Sequence, residues 1–195
     1  MISAVVLAAG RAQRMGEQKL FLPFKGKPVL QWVLETALAS DLHEVICIVR
    51  DLRAVRQRIR LVHERLLWLV NHAADRGQST SLIAGLWATH PQSQGALFMV
   101  GDQPMIGSNL INSLIRQFTN GSALIVAPKF AGQVRNPALF RRELFPELLA
   151  LTGDQGGKVL MDKYTDKSDL LEWHEEAPFV DIDVPEDYER LNKLA

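Results

Sequence analysis

The chain has 195 residues, and its 22 lysine and arginine residues balance 22 aspartate and glutamate residues. This length, with 47% hydrophobic and 23% charged residues, is typical of one soluble globular domain and argues against disorder or a fibrous repeat. The neutral charge argues against a protein that mainly coats nucleic acid, and the single cysteine, Cys47, leaves no internal disulfide.

The first half of the chain alternates between apolar runs and segments with helical spacing. The run Ala4–Ala9 ends at Gly10 and is typical of a strand that is buried on both faces. Pro28 suits the start of a helix whose apolar residues recur up to Leu38. Further strands are predicted at Val45–Val49, Leu66–Val70, Ala96–Val100 and Ala123–Ala127, with helices at Arg53–Arg65, Ser79–Ala88 and Leu110–Phe118. This alternation predicts an α/β fold, a three-layer α/β/α structure with a mostly parallel twisted sheet.

The alternation weakens after Pro128. The segments predicted there are a turn at Lys129–Gly132, strands at Pro137–Phe140, Leu170–His174 and Phe179–Ile182, and helices at Arg142–Leu151, Lys158–Tyr164 and Glu186–Leu194. No linker or internal repeat separates these segments, so we expect a single domain over residues 1–195. The first apolar run has no basic leader and no stretch reaches about 18 apolar residues, so we expect a cytoplasmic protein without a membrane span.

A loop with two glycines and three cations follows the first predicted strand. Gly10 and Gly16 let backbone N–H groups approach a polyphosphate closely. The cations, which can neutralise the charge of a triphosphate, are Arg11, Arg14 and Lys19. The spacing matches neither a Walker A sequence nor the dinucleotide fingerprint, which argues against a P-loop hydrolase and a nicotinamide dehydrogenase. We interpret the segment as a phosphate-binding loop, and a surface loop with solvated cations is the alternative.

Acidic side chains follow two later strands. Asp102 comes just after the predicted strand Ala96–Val100, at the edge of a parallel sheet where ligands bind. Mg²⁺ takes one or two carboxylates beside phosphate oxygens, so Asp102 is a candidate metal ligand. Asp181 and Asp183 are candidates for a second acidic ligand. The alternatives are a turn cap at Asp102 and a helix cap at Asp183.

Together these segments resemble a known family. The resemblance lies in Leu-Ala-Ala-Gly-x-x-x-Arg-Met-Gly-x-x-Lys at residues 7–19, Gly-Asp-Gln-Pro at 101–104 and Asp-Ile-Asp-x-Pro-Glu-Asp at 181–187, with further agreement at 77–82, 135–140 and 153–160. These motifs run in the order found in the MobA-like NTP transferase family, and the chain is most similar to its molybdenum cofactor cytidylyltransferase type.

The resemblance implies a Rossmann-like nucleotide-diphospho-sugar transferase fold, with a nucleotide-binding half at about 1–105 and an acceptor-binding half at about 106–195. It implies an enzyme that transfers CMP from CTP to the terminal phosphate of molybdopterin and releases pyrophosphate. The implied cofactor is Mg²⁺, or Mn²⁺ in its place. The implied protein partner is a molybdoenzyme or its maturation chaperone, and neither a nucleic acid nor a membrane is expected as a partner.

The resemblance also implies roles for particular residues. The catalytic set is implied to be Arg14, Lys19 and Asp102, and the metal ligands Asp102, Asp183 and Asp181. The nucleotide-binding residues are implied to be Leu7, Ala8, Ala9, Gly10, Arg11, Arg14, Lys19, Gln78, Ser79, Ser81 and Asp102. The residues implied to contact the pterin are Arg135, Asn136, Asp154 and Lys158. The chain departs from the family where Arg135 adjoins Asn136 without an intervening glycine, and where Ile83 replaces a frequent arginine.

One position favours CTP over GTP. The guanylyl branch typically has Leu-Ala-Gly-Gly where this chain has Ala9, and a methyl group there narrows the base pocket. One methyl gives only about 1–3 kcal/mol of discrimination, so GTP stays open. The alternatives are therefore a guanylyltransferase on the same acceptor, a cytidylyltransferase that makes a CDP-alcohol or a nucleotide sugar, and a non-catalytic maturation chaperone that binds the cofactor.

Overall fold

A computed structural model describes residues 1–10, 19–182 and 185–194. The strands are β1 (Ile2–Ala8), β2 (Pro23–Phe24), β3 (Lys27–Pro28), β4 (Glu44–Val49), β5 (Leu66–Val70), β6 (Gly95–Val100), β7 (Ile125–Phe130), β8 (Gln133–Val134), β9 (Ala138–Arg141) and β10 (Ser168–Glu172). The α-helices are α1 (Val29–Leu38), α2 (Leu52–Arg58), α3 (Gln78–Trp87), α4 (Ser108–Asn120), α5 (Phe145–Leu149), α6 (Lys158–Lys163) and α7 (Pro185–Leu194). Short 3-10 helices lie at Lys19–Phe21, Ala74–Arg76, Arg142–Leu144, Thr165–Lys167 and Ala177–Phe179.

The central sheet has the strand order β5-β4-β1-β6-β9-β7-β10, with β8 paired to β7. β1 lies between β4 and β6 and runs parallel to both. β9 is antiparallel to its neighbours β6 and β7, while β10 is again parallel to β7. The predicted α/β fold with a mostly parallel sheet is therefore confirmed, with β9 antiparallel to its neighbours and the short β8 antiparallel to β7.

Helices cover both faces of this sheet, because successive side chains of a strand point to opposite faces. In β1, Ala4 and Val6 belong to the buried cluster that includes residues of α1 and α4. Val5 belongs to the other cluster, which includes residues of α3 and α5. All three side chains are 0% exposed, and burying an aliphatic side chain in this way contributes about 1.5–3 kcal/mol. This explains why β1 reads as a continuous apolar run.

A third, smaller cluster joins the C-terminal part of the chain to the two-stranded sheet of β2 and β3. Its buried members are Phe24, Val29, Val180, Ile182 and Leu191. The cluster thus holds the segment before α7 against the start of α1. This contact was not predicted from the sequence, since β2 and β3 have only two residues each.

Most predicted elements of the first half are confirmed with small shifts, but the helix predicted at Arg53–Arg65 is too long. Asp51 caps its start, because the Asp51 side chain accepts hydrogen bonds from the backbone N–H groups of Arg53 and Ala54. The helix ends at Arg58, where the β-branched Ile59 takes an extended conformation. Beyond it Val62 is 97% exposed, so this residue adds no buried contact that would support a longer helix.

The second half departs further from the prediction. The strand predicted at Phe179–Ile182 is wrong, since a 3-10 helix covers Ala177–Phe179 and Ile182 bonds to a loop rather than to a strand. The helix predicted at Arg142–Leu151 is a 3-10 turn followed by the five-residue α5. β8 was not predicted, because it has only two residues. Within the described ranges, no helix is long and apolar enough to cross a lipid bilayer.

Candidate active site

A cavity of about 580 Å³ lies at the carboxyl ends of β1, β4 and β6. The carboxyl ends of parallel strands meet at one edge of the sheet, so the loops that follow these strands converge there. Residues from each loop contribute to its wall, among them Ala8, Ala9, Gly10, Lys19, Arg50, Asp51 and Asp102. The loop after the first strand and the loop after β6 therefore share one cleft.

The two charged residues that the sequence singled out in these loops form an ion pair. Lys19 Nζ lies 2.7 Å from Asp102 Oδ2, and the two side chains are only 17% and 18% exposed. Lys19 belongs to the 3-10 helix Lys19–Phe21, whereas Asp102 lies two residues beyond the end of β6. The pair thus places a cation and a carboxylate side by side in the wall of the cavity.

Gly101 explains how the Asp102 loop can lie so close to β1. Its backbone N–H donates to the Leu7 carbonyl at 3.0 Å. A Cβ atom at Gly101 would lie 3.0 Å from a methyl of Leu30 and 3.2 Å from Ala8 Cβ, so a larger residue would push the loop outward. Glycine at this position therefore holds Asp102 near Ala8 and the rest of the first loop.

Arg50, which the sequence reasoning missed, links two other parts of the cavity wall. Arg50 Nε donates to the Ala9 carbonyl at 2.8 Å, and its Nη1 donates to Asp75 Oδ1 at 2.7 Å. Its Nη2 is buried and has no hydrogen-bond partner among the described residues. The signal that was overlooked is that Arg50 is the first residue after β4, a position similar to that of Asp102 after β6.

Some of the nucleotide-binding residues predicted at the start of α3 lie in the wall of the cavity. Gln78 and Ser81 contribute to the wall. Ser81 Oγ also accepts a hydrogen bond from Asn71 Nδ2 at 2.9 Å. Ser79 is 1% exposed and does not contribute to the wall; its backbone N–H donates to the Gly153 carbonyl. The structure thus brings Gln78 and Ser81 to the cavity and leaves the Ser79 side chain beneath it.

A second cavity, of about 820 Å³, lies on the other side of the first strand's end, toward β9 and α6. All four residues predicted to contact the pterin line it, namely Arg135, Asn136, Asp154 and Lys158. Arg135 brings a positive charge to the wall of this cavity, and its Nε is buried without a hydrogen-bond partner among the described residues. Leu7, Gln78, Val100 and Asp154 line both cavities, which are therefore adjacent.

The predicted acidic cluster approaches from the C-terminal side. Asp181 lines the second cavity and accepts a hydrogen bond from Gln103 Nε2 at 2.6 Å. The next residue, Ile182, donates its backbone N–H to the Asp102 carbonyl at 3.2 Å. The predicted site residues Arg11, Arg14 and Asp183 lie outside the described residues.

The carboxylate oxygens at this site suit a hard divalent cation that binds jointly with a phosphate ligand. Across residues 1–10, 19–182 and 185–194, no three histidine, cysteine, aspartate or glutamate side chains are grouped to hold a metal by themselves. Mg²⁺ needs only one or two carboxylates when phosphate oxygens and waters complete its shell. Asp102, in the wall of the first cavity, provides such a carboxylate.

Comparison with known proteins assigns the chain to a family. The model of the MobA-like NTP transferase domain matches residues 4–168, and the chain belongs to this family. The purine catabolism protein PucB of Bacillus subtilis is 29% identical over 97% of this chain and 95% of its own. The nicotine blue oxidoreductase of Paenarthrobacter nicotinovorans is 27% identical over 97% and 96%. A probable molybdenum cofactor guanylyltransferase of Natranaerobius thermophilus is 27% identical over 98% and 95%.

Solved structures superimpose on nearly the whole chain. Rv0371c of Mycobacterium tuberculosis superimposes with a TM-score of 0.86 at 30% identity and covers 98% of this chain and 97% of its own. A manganese complex of Rv0371c superimposes with a TM-score of 0.83 at 28% identity, over 100% and 99% of the two chains. The Rossmann-like nucleotide-sugar transferase fold that the motifs implied is thereby confirmed.

Proposed function

We propose that the protein is a nucleotidyltransferase that transfers CMP from CTP to the terminal phosphate of molybdopterin and releases pyrophosphate. The observation that carries the proposal is the Lys19–Asp102 pair in a cleft that adjoins a second cavity lined by Arg135 and Lys158. The volumes of about 580 and 820 Å³ leave room for a nucleotide in the first cavity and an acceptor in the second, and the shared wall residues make the two cavities adjacent. A donor and an acceptor bound in adjacent cavities are positioned for direct transfer.

In this proposal the residues of the chain bind and orient the reactants. The backbone from Ala8 to Gly10 lies against the nucleotide, and the Lys19 ammonium neutralises oxygens of the triphosphate. Arg135 and Lys158 hold the acceptor so that its phosphate points toward the first cavity. Such transfer needs alignment and charge neutralisation more than covalent catalysis by the protein.

Asp102 and Asp183 are the residues that we propose to hold Mg²⁺ or Mn²⁺. The bound ion supplies neutralisation of charge on the phosphate oxygens. The manganese complex of Rv0371c, a protein of the same fold at 28% identity, supports a divalent cation in this proposal.

The choice of CTP is the finer part of the proposal. Ala9 is 1% exposed and its side chain belongs to the buried cluster beneath α3, although the residue contributes to the cavity wall. Its methyl is buried in the core instead of narrowing the base pocket directly as expected, so an effect on the choice of base would have to act through the position of the loop. The relative named as a probable guanylyltransferase favours the second candidate, transfer of GMP from GTP to the same acceptor.

The test is to incubate the purified protein with CTP or GTP, Mg²⁺ or Mn²⁺, and one acceptor at a time, and to measure pyrophosphate. The acceptors are molybdopterin, a sugar phosphate and an alcohol phosphate. We expect pyrophosphate release with CTP and molybdopterin. Release with GTP and molybdopterin, but not with CTP and molybdopterin, would establish the second candidate. Release only with the sugar or alcohol phosphate would contradict molybdopterin as the acceptor.

Asp102→Ala is the control for this assay. We expect this variant to lose metal-dependent turnover by several orders of magnitude while its circular dichroism stays that of the wild type, because metal ions contribute several kcal/mol to such transition states. Binding of molybdopterin by the wild type without turnover of any nucleotide would instead indicate a cofactor-binding maturation chaperone. A molybdoenzyme, or its chaperone, is the protein partner that the proposal implies.

A further inference from the structure

Asn71, the first residue after β5, ties the loop before α3 to the start of that helix. The residue is 7% exposed and does not contribute to the wall of the first cavity. Its Oδ1 accepts a hydrogen bond from the backbone N–H of Ala73 at 2.9 Å. Its Nδ2 donates to Thr80 Oγ1 and to Ser81 Oγ, at 2.9 Å each. Both polar atoms of this buried amide are therefore paired.

The partners of the Asn71 amide fix which of its atoms is the oxygen. A backbone N–H can only donate, so the atom that lies against the N–H of Ala73 is the oxygen. The nitrogen then faces Thr80 and Ser81, and an amide nitrogen can only donate. Ser81 Oγ therefore accepts from Asn71 through a lone pair, and its own hydroxyl hydrogen is left to be donated elsewhere.

The usual acceptor for this hydrogen within a helix is already occupied. A serine in a helix can donate to the carbonyl four residues earlier, which for Ser81 is that of Gly77. That carbonyl instead accepts from the Thr80 hydroxyl at 2.8 Å. Within the described ranges, Ser81 Oγ makes no hydrogen bond besides the one from Asn71. Because Ser81 contributes to the wall of the first cavity, a ligand bound there can accept the hydrogen.

We propose that Asn71 is a positioning residue that fixes Ser81 Oγ as a hydrogen-bond donor to the bound nucleotide. Asn71 does not touch the nucleotide and acts by occupying a lone pair of the hydroxyl. The hydroxyl hydrogen stays unsatisfied unless the nucleotide presents an acceptor atom, such as a keto oxygen of the base or an oxygen of the ribose or phosphates. The inference rests on the proposed function, because it assigns a contact of the nucleotide in the first cavity.

The experiment is a double-mutant cycle in which calorimetry measures CTP binding to the full chain with Mg²⁺. Ser81→Ala removes the donor and weakens CTP binding by about tenfold. Asn71→Asp replaces the donor nitrogen with an acceptor oxygen, so the Ser81 hydroxyl turns to the carboxylate and CTP binding again falls by about tenfold. In the Ser81→Ala background, Asn71→Asp changes the affinity by less than about twofold, because the hydroxyl through which Asn71 acts is gone.

Asn71→Leu repeats the cycle without adding a charge. Leucine neither donates nor accepts, so the Ser81 hydroxyl loses its fixed orientation and CTP binding falls by a smaller factor, about threefold. This effect also disappears in the Ser81→Ala background, whereas a general distortion of the loop would persist there. If one of the two variants at position 71 does not fold, the other completes the cycle.

Ser40→Ala is the matched control, because it removes a buried serine hydroxyl elsewhere. Ser40 is 4% exposed, and its Oγ donates to the Thr36 carbonyl at 2.8 Å near the end of α1. This variant binds CTP like the wild type. In steady-state assays, Ser81→Ala and Asn71→Asp raise the KM for CTP by about tenfold and leave kcat within about twofold, because the bond is present both before and during transfer.

Two outcomes overturn the inference while the proposed function stands. In the first, Ser81→Ala binds CTP like the wild type, which shows that the hydroxyl does not bond to the nucleotide. In the second, the variants at position 71 weaken CTP binding as much in the Ser81→Ala background as in the wild type, which makes the role of Asn71 structural. Wild-type protein that binds GTP but not CTP contradicts the nucleotide of the proposed function, and the same cycle with GTP then tests Asn71. Wild-type protein that binds neither nucleotide overturns both.

Discussion

Lys19 Nζ lies 2.7 Å from Asp102 Oδ2, although 83 positions separate the two residues in the chain. An ammonium group therefore lies against the carboxylate that we propose as a metal ligand. Both groups are largely shielded from solvent, so their attraction is stronger than that of an exposed pair. If Asp102 binds a metal ion as we propose, Lys19 and the metal compete for the same carboxylate, and a bound triphosphate would offer Lys19 other oxygens.

The first prediction follows from this competition. Lys19→Gln should bind Mn²⁺ about tenfold more tightly than the wild type when no nucleotide is present, because a charge-assisted hydrogen bond no longer occupies Asp102. The same variant should bind CTP more weakly, since it lacks a cation for the triphosphate. Electron paramagnetic resonance of Mn²⁺ and calorimetry of CTP measure the two effects.

The control for Lys19 is Lys129→Gln, which removes the ion pair of Lys129 with Glu172 at the edge of the sheet. This variant should change neither Mn²⁺ nor CTP binding. Equal Mn²⁺ affinity in Lys19→Gln and the wild type would show that the ion pair does not compete with the metal.

The second prediction concerns Arg50, whose guanidinium joins the Ala9 carbonyl to Asp75. Arg50→Lys cannot make both bonds, because an ammonium lacks the planar fork of the guanidinium. We expect a loss of about 1–2 kcal/mol in the free energy of unfolding and weaker CTP binding, since the Ala8–Gly10 backbone is no longer held. Calorimetric unfolding with and without CTP measures both. Arg53→Lys, at an exposed neighbouring position, should match the wild type.

The third prediction uses Gly77, the residue before α3, which has a φ of +115°. A Cβ atom there would lie 2.2 Å from the carbonyl carbon and oxygen of Gly153, so Gly77→Ala must displace the loop that carries Asp154. We expect a clear rise in the KM for the acceptor and a loss of more than about 2 kcal/mol of stability.

Gly132→Ala is the control that separates the effect of a steric clash from the effect of backbone strain. Gly132 also has a positive φ, +78°, but a Cβ there meets nothing within 4 Å. We expect this variant to lose only about 1–2 kcal/mol of stability through backbone strain, and its KM for the acceptor should be unchanged. Equal effects of the two substitutions on that KM would argue against displacement of the Asp154 loop.

The fourth prediction is that stability depends on pH through the brace between α5 and α6, by which we mean the contacts of Glu147 with Lys163 and Tyr164. Hydrogen bonds from Lys163 and Tyr164 hold the pKa of Glu147 below its ordinary value of 4.5. A lowered folded-state pKa means that the stabilisation is present above that ordinary value and is lost as the pH falls through the lowered pKa. Tyr164→Phe should therefore lower the Tm near neutral pH and have little effect in strong acid. It should also raise the pKa of Glu147 in an NMR titration.

Thermal unfolding of wild type and Tyr164→Phe from about pH 2 to about pH 7 tests this sign. A Tm difference that persists unchanged at the acid end would show that the hydroxyl acts through packing rather than through the ionised carboxylate. The brace matters for the site because α5 and α6 flank the loop that carries Asp154.

Two of the predicted site positions come just after strands of the parallel region. Asp102 follows β6 and Gly10 follows β1, and the common edge of parallel strands brings such positions together whatever the details of packing. The role of Arg50 was not predicted, because a single arginine after a strand has no local pattern that distinguishes it from a solvated one. The buried position of Ser79 was likewise invisible, since it depends on the distant Gly153.

What the sequence by itself determined is the α/β alternation, the family and the two loops that carry Lys19 and Asp102, because strand burial and glycine placement are encoded locally. What only the tertiary structure decided is the antiparallel β9, the short α2, the coil at Val180–Ile182 and the bond of Gln103 to Asp181. These features depend on contacts between residues that are far apart in the chain. Such contacts contribute to stability but leave no periodic pattern in the sequence.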